Sequence, residues 1–450
     1  MRPLGCTYLR SVFVNTLNRG TPLKVKHSIT KGDPRSPREP ATGEIKRRSV
    51  LRGLGALGLS VAFGTPRNAG AQSGYDVLVV GAGVFGIWSA YKLHLAGKRV
   101  AVIDSVGPAH SRASSGGESR ATRFGYGGNA IYSEWAWRSL GDWQALSERT
   151  GLPIFHQMGV VGVHPESDES YEASAHVLRE QEIPYRVLSA EDLRTQYPIM
   201  RVSDGEAGLL EPLGGALMSR RAVQYLASSL SAAGVTFLSG TVLPIRQEQA
   251  SGGALGAAMT AGGDRIEAEQ FVFACGPWLD RACPEAMEGR LFVTRQEIFY
   301  FAVDAGSTGK LPVWADLPFY GFPSLEGRGF KVANDTHGPI IDPETEDRRA
   351  TDEGEQTARD FLSRRFPSLA EAPLIETRVC QYENSSNGHF VIDRHPGLEN
   401  VWLVGCGSGH GFKHGPAVGA HVADLVAGTA VPMAPFLLSS KEVHQERAVQ

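Results

Sequence analysis

Apolar residues along the chain are grouped in a way that predicts an α/β arrangement. From Tyr75 to Val80 the residues are almost continuously apolar, which is typical of a parallel strand buried on both faces. A glycine-rich turn from Gly81 to Gly86 follows, and apolar residues then recur at helical spacing until Gly97, which can end the helix. The next apolar run, Lys98 to Ile103, ends in Asp104. The order strand, glycine turn, helix and strand predicts the first unit of a parallel sheet.

The glycine turn has the spacing of a dinucleotide-binding site. Gly81 permits a tight turn, Gly83 lets the backbone approach a pyrophosphate, and Gly86 lets the helix pack closely on the strand. The helix N-terminus favours an anion, because its N–H groups are free and its dipole is positive there. Asp104 would accept hydrogen bonds from the ribose hydroxyls of an adenosine, in NAD and FAD alike. The predicted contacts to the dinucleotide are Gly81, Gly83, Val84, Phe85, Gly86 and Asp104.

Composition and charge exclude several classes of protein. The 450 residues are 42% hydrophobic and 21% charged, with a mean hydropathy of −0.17, which excludes a disordered, collagen-like or polytopic membrane chain. The net charge of −3 is unevenly distributed, because residues 1–71 hold 13 Lys/Arg and 3 Asp/Glu. The remainder is therefore acidic. We expect no nucleic acid as a partner, because phosphate groups bind to basic faces.

The five cysteines predict neither a disulfide framework nor a metal site. They show no Cys-x-x-Cys pair and no even spacing, which zinc sites and disulfide-rich domains usually have. The cysteines are Cys6, Cys275, Cys283, Cys380 and Cys406.

The first 71 residues have the features of an export signal and leader. Arg47 and Arg48 precede a short apolar run, from Gly53 to Gly64, which is shorter than the roughly 20 residues that span a bilayer. A small-residue cleavage pattern then precedes Gln72. These features predict a twin-arginine signal that the export machinery of that name recognises, a mature chain exported to the periplasm, and no stable membrane span.

Other interpretations of this segment stay open. Residues 1–31 are basic and lack Asp and Glu, as in an organelle transit peptide, and the segment could also be a basic linker before a buried helix. The true start need not be Met1. Because twin-arginine machinery carries folded proteins, the export interpretation favours a protein that acquires a cofactor before it leaves the cytoplasm.

Three further segments resemble one family of flavoenzymes. The first runs from Ser114 to Tyr126, the second from Arg378 to Tyr382, and the third from Asn400 to Lys413, where a strand again enters a glycine-rich turn. With the first turn, they make the chain from Tyr75 to Ala427 similar to the amine-oxidising flavoenzymes of the D-amino-acid oxidase superfamily. The match is best to the monomeric sarcosine oxidase family, which includes N-methyltryptophan, pipecolate and fructosyl-amino-acid oxidases.

The resemblance implies an α/β fold in which a Rossmann-type FAD-binding domain is interleaved with a mainly antiparallel β substrate domain. The FAD-binding domain would comprise residues 72–155, 216–289 and 379–432. The substrate domain would comprise residues 156–215 and 290–378, and residues 433–450 would form a tail. The family also implies a monomer.

The resemblance further implies roles for individual residues. Arg120 would lie against the flavin, whereas Arg123 and Lys413 would bind the substrate carboxylate, a task suited to cationic side chains. Cys380 would carry the FAD covalently, through a thioether bond to the 8α-methyl carbon, since a thiolate is a good nucleophile for that carbon. Lys331 matches the family's lysine next to flavin N5, which is linked to oxygen reactivity.

The glycine-rich turn of the third segment would lie near the isoalloxazine ring, where its amides and a helix dipole would stabilise negative charge. His410, in that turn, matches an active-site histidine. The implied catalytic residues are Arg120, Arg123, Lys331, Asp335, Tyr382, His410 and Lys413. The implied flavin contacts beyond the first turn are Ser119, Arg120, Cys380, Gly407, Gly409, Gly411, Phe412 and Lys413.

The implied reaction is oxidation of the C–N bond of a secondary (N-alkyl) amino acid to an imine, with O2 reduced to H2O2. Two alternatives stay open. One is a flavin amine dehydrogenase that passes electrons to a quinone or a carrier protein, and the other is a flavin-binding protein without turnover.

Two positions depart from the sarcosine-oxidising members of the family. Gly116 and Asp335 stand where those enzymes have histidine, and the fructosyl-amino-acid oxidases resemble this chain in having an acid at the second position. An ionised carboxylate accepts hydrogen bonds only, so it favours a polar or cationic N-substituent over a bare methyl group. This holds if residue 335 lies near the distal end of the substrate rather than in a surface turn.

Overall fold

The computed structural model describes residues 74–304 and 306–443, and the predicted export segment lies outside them. In chain order the strands are β1 (Tyr75–Val80), β2 (Val100–Asp104), β3 (Ser119–Thr122), β4 (Phe155–Gln157), β5 (Val160–Pro165), β6 (Arg186–Leu188), β7 (Glu206–Glu211), β8 (Gly215–Met218), β9 (Thr236–Ser239), β10 (Ala250–Ser251), β11 (Ala254–Leu255), β12 (Ala257–Met259), β13 (Arg265–Phe273), β14 (Phe292–Phe301), β15 (Val313–Asp316), β16 (Phe319–Phe322), β17 (Phe330–Asn334), β18 (Leu374–Asn384), β19 (Val391–His395) and β20 (Leu398–Gly405). The helices are α1 (Val84–Leu95), α2 (Ala130–Thr150), α3 (Glu169–Glu180), α4 (Ala190–Gln196), α5 (Ser219–Ala232), α6 (Leu279–Ala282), α7 (Pro284–Met287), α8 (Asp352–Arg365) and α9 (Gly415–Ala427). None of the helices in these described ranges has the length and apolar character needed to cross a bilayer.

The first large sheet has seven strands, in the order β19-β20-β13-β1-β2-β9, with β12 paired to β13. Its pairs from β20 through β9 are parallel, whereas β19 and β12 pair antiparallel. Val77 to Val80 in β1 are at most 6% exposed, as expected for a strand covered on both faces. Because β1, β2, β13 and β20 are parallel, their carboxyl ends meet along one edge of the sheet.

Helices α1 and α9 pack closely together beside this sheet. A Cβ atom on Gly419 would stand 2.5 Å from the carbonyl oxygen of Trp88, and one on Gly415 would stand 2.6 Å from the Trp88 indole. The two glycines therefore permit the helices to approach. One result is that the turn before α9 lies against the start of α1, where a Cβ on Gly411 would stand 2.8 Å from the Phe85 ring.

The second large sheet has eight strands in the order β18-β14-β17-β16-β15-β5-β7-β6. Its neighbouring strands are antiparallel except for the parallel pair β15 and β5. Stacked rings pack α8 onto it: Trp314 lies 5.7 Å from Phe330 and 5.3 Å from Phe361, measured between ring centroids. Cys380 lies on β18 and Lys331 on β17, so this sheet supplies two of the predicted site residues.

Two smaller sheets complete the described strands. One has the order β3-β8-β4, and the other is the hairpin of β10 and β11. Ser119 and Arg120 open β3, which is paired to β8 through Met218 and Leu217. The small three-stranded sheet therefore fixes the strand that carries the predicted flavin arginine.

The predicted fold class is confirmed, since a parallel sheet flanked by helices is joined to a mainly antiparallel sheet. The first predicted unit is also confirmed: α1 ends at Leu95, and Gly97 has a φ of +80°, which suits a glycine just past a helix end. Strands of the two large sheets alternate along the chain. β18 runs across the predicted boundary at 378/379, because its pairing with β14 continues to Asn384. The predicted domain boundaries stay predictions.

Candidate active site

The turn after β1 requires glycine at two positions. Gly81 has a φ of +105°, and a Cβ atom there would stand 2.3 Å from the carbonyl oxygen of Ala274. A Cβ on Gly86 would stand 1.9 Å from the carbonyl oxygen of Gly81. A Cβ on Gly83, by contrast, would meet nothing closer than the Ser115 hydroxyl at 3.5 Å. Gly81 and Gly86 are therefore fixed by protein packing, whereas Gly83 leaves room beside the start of α1.

Asp104 holds this turn to the end of β2. Its Oδ2 accepts a hydrogen bond from the Ala82 amide at 2.8 Å, and its Oδ1 accepts from the amides of Val106 at 2.9 Å and Gly107 at 2.7 Å. The same side chain borders a cavity of about 350 Å³, which also includes Gly81, Gly83 and the start of α1. Asp104 thus positions the turn and faces the space where the sequence predicts an adenosine.

A smaller cavity of about 60 Å³ adjoins the first. It is bordered by Arg120 and Tyr382 and by the glycine-rich turn between β20 and α9. Gly409 has a φ of +79°, and a Cβ there would stand 2.7 Å from the Tyr382 ring, so this turn packs directly on the tyrosine. The residues of the turn that border the cavity are Gly407, Ser408, Gly409, Gly411 and Phe412. The two predicted glycine turns therefore open onto neighbouring cavities.

Arg120, which borders the smaller cavity, lies next to Cys380. Arg120 donates from Nη2 to the Ser114 carbonyl at 2.6 Å and from Nη1 to the Ser119 carbonyl at 2.9 Å. Its Nη2 also lies 3.9 Å from the Cys380 Sγ. The thiol is half-buried, and its Sγ lies 3.9 Å from the Ser114 carbonyl oxygen. The guanidinium is thus held in place by backbone carbonyls, next to the one thiol that the resemblance singles out.

Lys331 is buried behind this pair, with 1% of its surface exposed. Its Nζ donates to the carbonyl oxygen of Ser119 at 3.1 Å and to the hydroxyl of Ser119 at 3.3 Å, and it lies 4.6 Å from the centroid of the Phe322 ring. Burial lowers the pKa of Lys331 well below its usual range, and the charge of Arg120 lowers it further. Both effects favour the neutral amine of Lys331, so the permanently charged guanidinium of Arg120 is the fixed positive charge beside it.

A second group of side chains, the Lys413 cluster, consists of Arg123, Tyr126, Glu211, Lys413 and His414. The Lys413 Nζ donates to the Tyr126 hydroxyl at 2.6 Å and to the His410 carbonyl at 3.1 Å. The Arg123 guanidinium lies 4.3 Å from the centroid of the Tyr126 ring and donates to the Gly125 carbonyl. The two cations predicted to bind a carboxylate therefore lie on the same tyrosine.

Burial lowers the pKa of Lys413 well below its usual range, and Arg123 lowers it further, while Asp335 and Glu211 oppose the shift. Glu211 is also buried, and it accepts hydrogen bonds from the amides of Phe124 and Gly125. Burial raises the pKa of Glu211, whereas these amides and the Arg123 and Lys413 charges oppose the rise. Glu211 thus holds the Arg123 loop and partly balances the two cations.

The Tyr126 hydroxyl also joins His414, whose Nε2 lies 2.9 Å away. Burial, followed by the Lys413 charge, lowers the pKa of His414 well below its usual value, so this imidazole is neutral at physiological pH. His410 lies nearby, with Nε2 3.1 Å from the Gly388 carbonyl and its ring stacked on Phe390. Neither histidine borders the two cavities.

Asp335 connects the Lys413 cluster with Tyr382, which borders the smaller cavity together with Arg120. It follows β17, is half-buried, and accepts a hydrogen bond at 2.8 Å from the Tyr382 hydroxyl, which lies 3.4 Å from the Tyr320 hydroxyl. Burial raises the pKa of Tyr382 well above its usual value, and the Asp335 charge raises it further. Asp335 also acts electrostatically on Lys413. The residue therefore points toward the predicted site, although its backbone lies in the loop after the strand.

Sequence reasoning missed four residues of this site: Tyr126, Glu211, Glu383 and His414. Tyr126, Glu383 and His414 lie within or directly beside the segments quoted for the resemblance, so their positions carried a signal. Glu211 carried none, because it is 87 residues from Phe124 along the chain and ends an ordinary apolar strand. The described part of the chain holds no group of three or more potential metal ligands and no disulfide.

Comparisons with known proteins agree with this geometry. The family model described as FAD dependent oxidoreductase (DAO) matches residues 76–425. The chain is 30% identical over 362 residues to monomeric sarcosine oxidase of Bacillus sp. (strain NS-129), covering 78% of this chain and 92% of that protein. It is 28% identical over 382 residues to N-methyl-L-tryptophan oxidase of Salmonella arizonae, covering 81% and 98%. L-proline dehydrogenase from P. horikoshii has a similar fold, with a TM-score of 0.70 at 19% identity over 81% of this chain and 97% of that one.

The residues present fit the FAD of this family. A helix N-terminus with a glycine turn suits a pyrophosphate, and the carboxylate of Asp104 suits ribose hydroxyls. The smaller cavity, with Arg120 and the second glycine turn at its border, continues from the first, as the length of a dinucleotide requires. On the match of the family model and of the fold, the chain is an FAD-dependent oxidoreductase and belongs to the DAO family.

Proposed function

We propose that the protein oxidises the C–N bond of a secondary (N-alkyl) amino acid to an imine and reduces O2 to H2O2. The observation that carries this proposal is the position of Arg123 and Lys413 on the Tyr126 side chain, next to the flavin site. Phe412, the neighbour of Lys413 along the chain, borders the smaller cavity. The relatives named above support the proposal, because sarcosine and N-methyl-L-tryptophan are both N-methyl amino acids.

The reaction consumes only the amino acid, O2 and water. The carbon loses a hydride, which is one proton with two electrons, and the nitrogen loses a second proton. The C–N single bond thereby becomes a C=N double bond. FAD supplies the two-electron acceptor when it is bound. O2 takes up the two electrons and two protons as H2O2, and water then hydrolyses the imine to a carbonyl compound and a primary amine. The role of Arg123 and Lys413 is to hold the carboxylate, so that the reacting carbon has a fixed position.

The experiment that tests this function compares oxygen with other acceptors. Purified holoenzyme is incubated with a panel of N-methyl amino acids, and H2O2 is measured in air while dye reduction is measured without O2. We expect one H2O2 per imine in air. Dye reduction without H2O2 in air would favour a dehydrogenase, and absence of turnover with every amine, together with a flavin that none of them reduces, would favour a flavin-binding protein.

We also propose that FAD is attached to Cys380. The half-buried position of its thiol beside Arg120, which borders the smaller cavity, supports this, because a thioether bond needs a thiol that the flavin can reach. Acid precipitation of wild-type protein should leave the yellow colour in the pellet, and Cys380→Ser should release it to the supernatant. Colour released from wild-type protein would contradict the attachment.

Asp335 supports a substrate whose N-substituent is polar or cationic. The carboxylate is half-buried, accepts a hydrogen bond from the Tyr382 hydroxyl and acts electrostatically on Lys413. A hydroxyl, an amide or an ammonium on the nitrogen substituent would donate a hydrogen bond to this carboxylate, whereas a bare methyl group has no donor to offer. In the same proposal, the permanent charge of Arg120 and the protonated form of Lys331 stabilise the negative charge that develops on oxygen as it is reduced, and that negative charge in turn favours protonation of the lysine.

We further propose export by the twin-arginine machinery. The support comes from the paired arginines before a weak apolar run and from the small residues before Gln72. Replacement of Arg47 and Arg48 by lysine should retain the precursor in the cytoplasm with FAD already bound, and wild-type mature protein should begin at or near Gln72. Unchanged export of the double-lysine form would contradict a twin-arginine signal, and delivery of the protein to an organelle would favour a transit peptide.

A further inference from the structure

Glu383 is a buried acid that joins three segments around the cavities. It lies on β18 with 8% of its surface exposed. Its Oε2 accepts a hydrogen bond from the Ser114 hydroxyl at 2.7 Å, and its Oε1 accepts from the Gly407 amide at 3.4 Å. The Ser408 amide also donates to the Glu383 carbonyl oxygen at 2.9 Å. The side chain is therefore fixed in direction by the loop before β3 and by the turn after β20.

The carboxyl group lies where the two cavities adjoin. Both cavities are bordered by Val84, Phe85, Ser114, Ser115 and Glu383. Of these five residues, Glu383 is the one whose side chain ionises. Glycine allows the backbone to approach it on two sides: a Cβ on Gly276 would stand 3.4 Å from Oε2, and one on Gly407 would stand 3.2 Å from Oε1.

The chemistry of this carboxyl group selects its ligand. Burial raises the pKa of Glu383 to about 6, and the hydrogen bonds from Ser114 and Gly407 oppose the rise, so the group is mainly ionised at neutral pH. An ionised carboxylate has about four acceptor positions, and donors from the described part of the chain occupy two of them. A buried carboxylate with spare acceptor positions favours neutral hydroxyl donors and repels a phosphate.

We propose that Glu383 accepts hydrogen bonds from the hydroxyls of the sugar-alcohol chain of FAD. In FAD this chain lies between the pyrophosphate and the ring. The start of α1, which suits the pyrophosphate, borders the larger cavity, and Arg120 with Tyr382 borders the smaller one. Glu383, at the junction, faces the part of the cofactor in between. The inference rests on the FAD site and, for the direction of the ring end, on the proposed role of Cys380.

The test is a thermodynamic cycle between the side chain and the cofactor. Apoprotein is prepared in a Cys380→Ser background, so that flavin binding is an equilibrium, and the Kd is measured from quenching of flavin fluorescence. FAD is compared with analogues that each lack one hydroxyl of the sugar-alcohol chain. In protein that retains Glu383, an analogue without the contacting hydroxyl should have a Kd roughly tenfold or more above that of FAD, the usual effect of losing a hydrogen bond to a charged group. FAD should bind to the Glu383→Ala variant more weakly than to protein with Glu383, by a similar factor. On this variant the analogue and FAD should have the same Kd.

Two further variants complete the design. Glu383→Gln keeps one acceptor oxygen and the shape of the side chain, so it supports the cycle if Glu383→Ala does not fold, and it should give an intermediate Kd. Glu376→Gln is the matched control, because Glu376 lies on the same strand, pairs with Arg328 and borders neither cavity. It should leave the Kd for every analogue unchanged.

Two results would overturn the proposal. One is that each missing hydroxyl raises the Kd by the same factor in protein with Glu383 and in the Glu383 variants. The other is tighter FAD binding by Glu383→Gln, which would show that the carboxylate repels the pyrophosphate instead. The cycle reads cofactor binding alone, so it remains interpretable if no amine is oxidised, and its failure is distinct from failure of the proposed oxidase activity.

Discussion

The first glycine turn and the Lys413 cluster are built in opposite ways. The turn comes from one continuous stretch, Tyr75 to Asp104, and backbone atoms define it: Gly81 and Gly86 are fixed by carbonyl oxygens that leave no space for a Cβ. The Lys413 cluster comes from three distant segments, and buried charges and a shared tyrosine hydroxyl define it. A change in the turn should therefore act through sterics on folding and cofactor binding together, whereas a change in the cluster should act through electrostatics on the substrate alone.

The largest effect is expected at the turn. Gly81→Ala places a Cβ against the Ala274 carbonyl at a positive φ, so overpacking should cost about 1–3 kcal/mol, with backbone strain in addition. We expect a lower Tm of the apoprotein and loss of bound FAD. Gly83→Ala is the control, because a Cβ there meets nothing closer than 3.5 Å. It should keep the apoprotein Tm and weaken FAD binding only. Equal Tm values for the two variants would contradict the steric explanation.

The second effect separates substrate binding from the cofactor. Lys413→Met or Arg123→Ala should raise the KM for a carboxylated amine by roughly ten- to hundredfold, the result of losing about 1.5–3 kcal/mol of charge-assisted binding. The flavin content and the KM for the matched amine without a carboxylate should change little. Lys310→Met, at an exposed lysine, is the control and should alter neither value. Equal KM changes for both amines would show that these cations do not bind the carboxylate.

A third effect concerns pH. Because burial and Arg123 lower the pKa of Lys413, the ammonium loses its proton at a lower pH than an exposed lysine does. The ratio of the KM for a carboxylated amine to that for its uncharged match should therefore rise as pH increases, by less than Lys413→Met raises it. The ratio cancels deprotonation of the amine itself. In Lys413→Arg, whose guanidinium stays charged, the ratio should stay flat; a rise of equal size there would assign the titration to another group.

The smallest effect should lie at Asp335, which joins the cluster to Tyr382. Asp335→Asn removes the charge and keeps the size, so kcat/KM should shift several-fold from amino acids with a polar or cationic N-substituent toward small N-methyl amino acids. Competition between the two substrate types in one reaction measures the ratio directly. Asp304→Asn, at an exposed acid, is the control. The same preference in wild-type and Asp335→Asn protein would mean that residue 335 does not contact the substrate.

The comparison also explains what the sequence could reveal. The strand, turn and helix from Tyr75 to Gly97 were predictable, because apolar period and glycine spacing are local properties that act within a few residues. The burial of Lys331 and the presence of Glu211 beside two cations were not, since both depend on strands that meet only in the folded chain. The resemblance identified Arg123 and Lys413 as a pair, but the tyrosine that joins them emerged from the structure.

The most direct measurement of the central claim is an anaerobic titration of the holoenzyme followed by flavin absorbance. The titrants are one N-alkyl amino acid and the amine that lacks only its carboxylate, applied to wild-type protein and to Lys413→Met. We expect the amino acid to bleach the wild-type flavin at much lower concentration than the amine does, Lys413→Met to lose most of that difference, and air to restore the colour with formation of H2O2. The same concentration dependence for both titrants, or a flavin that neither can reduce, would contradict the claim.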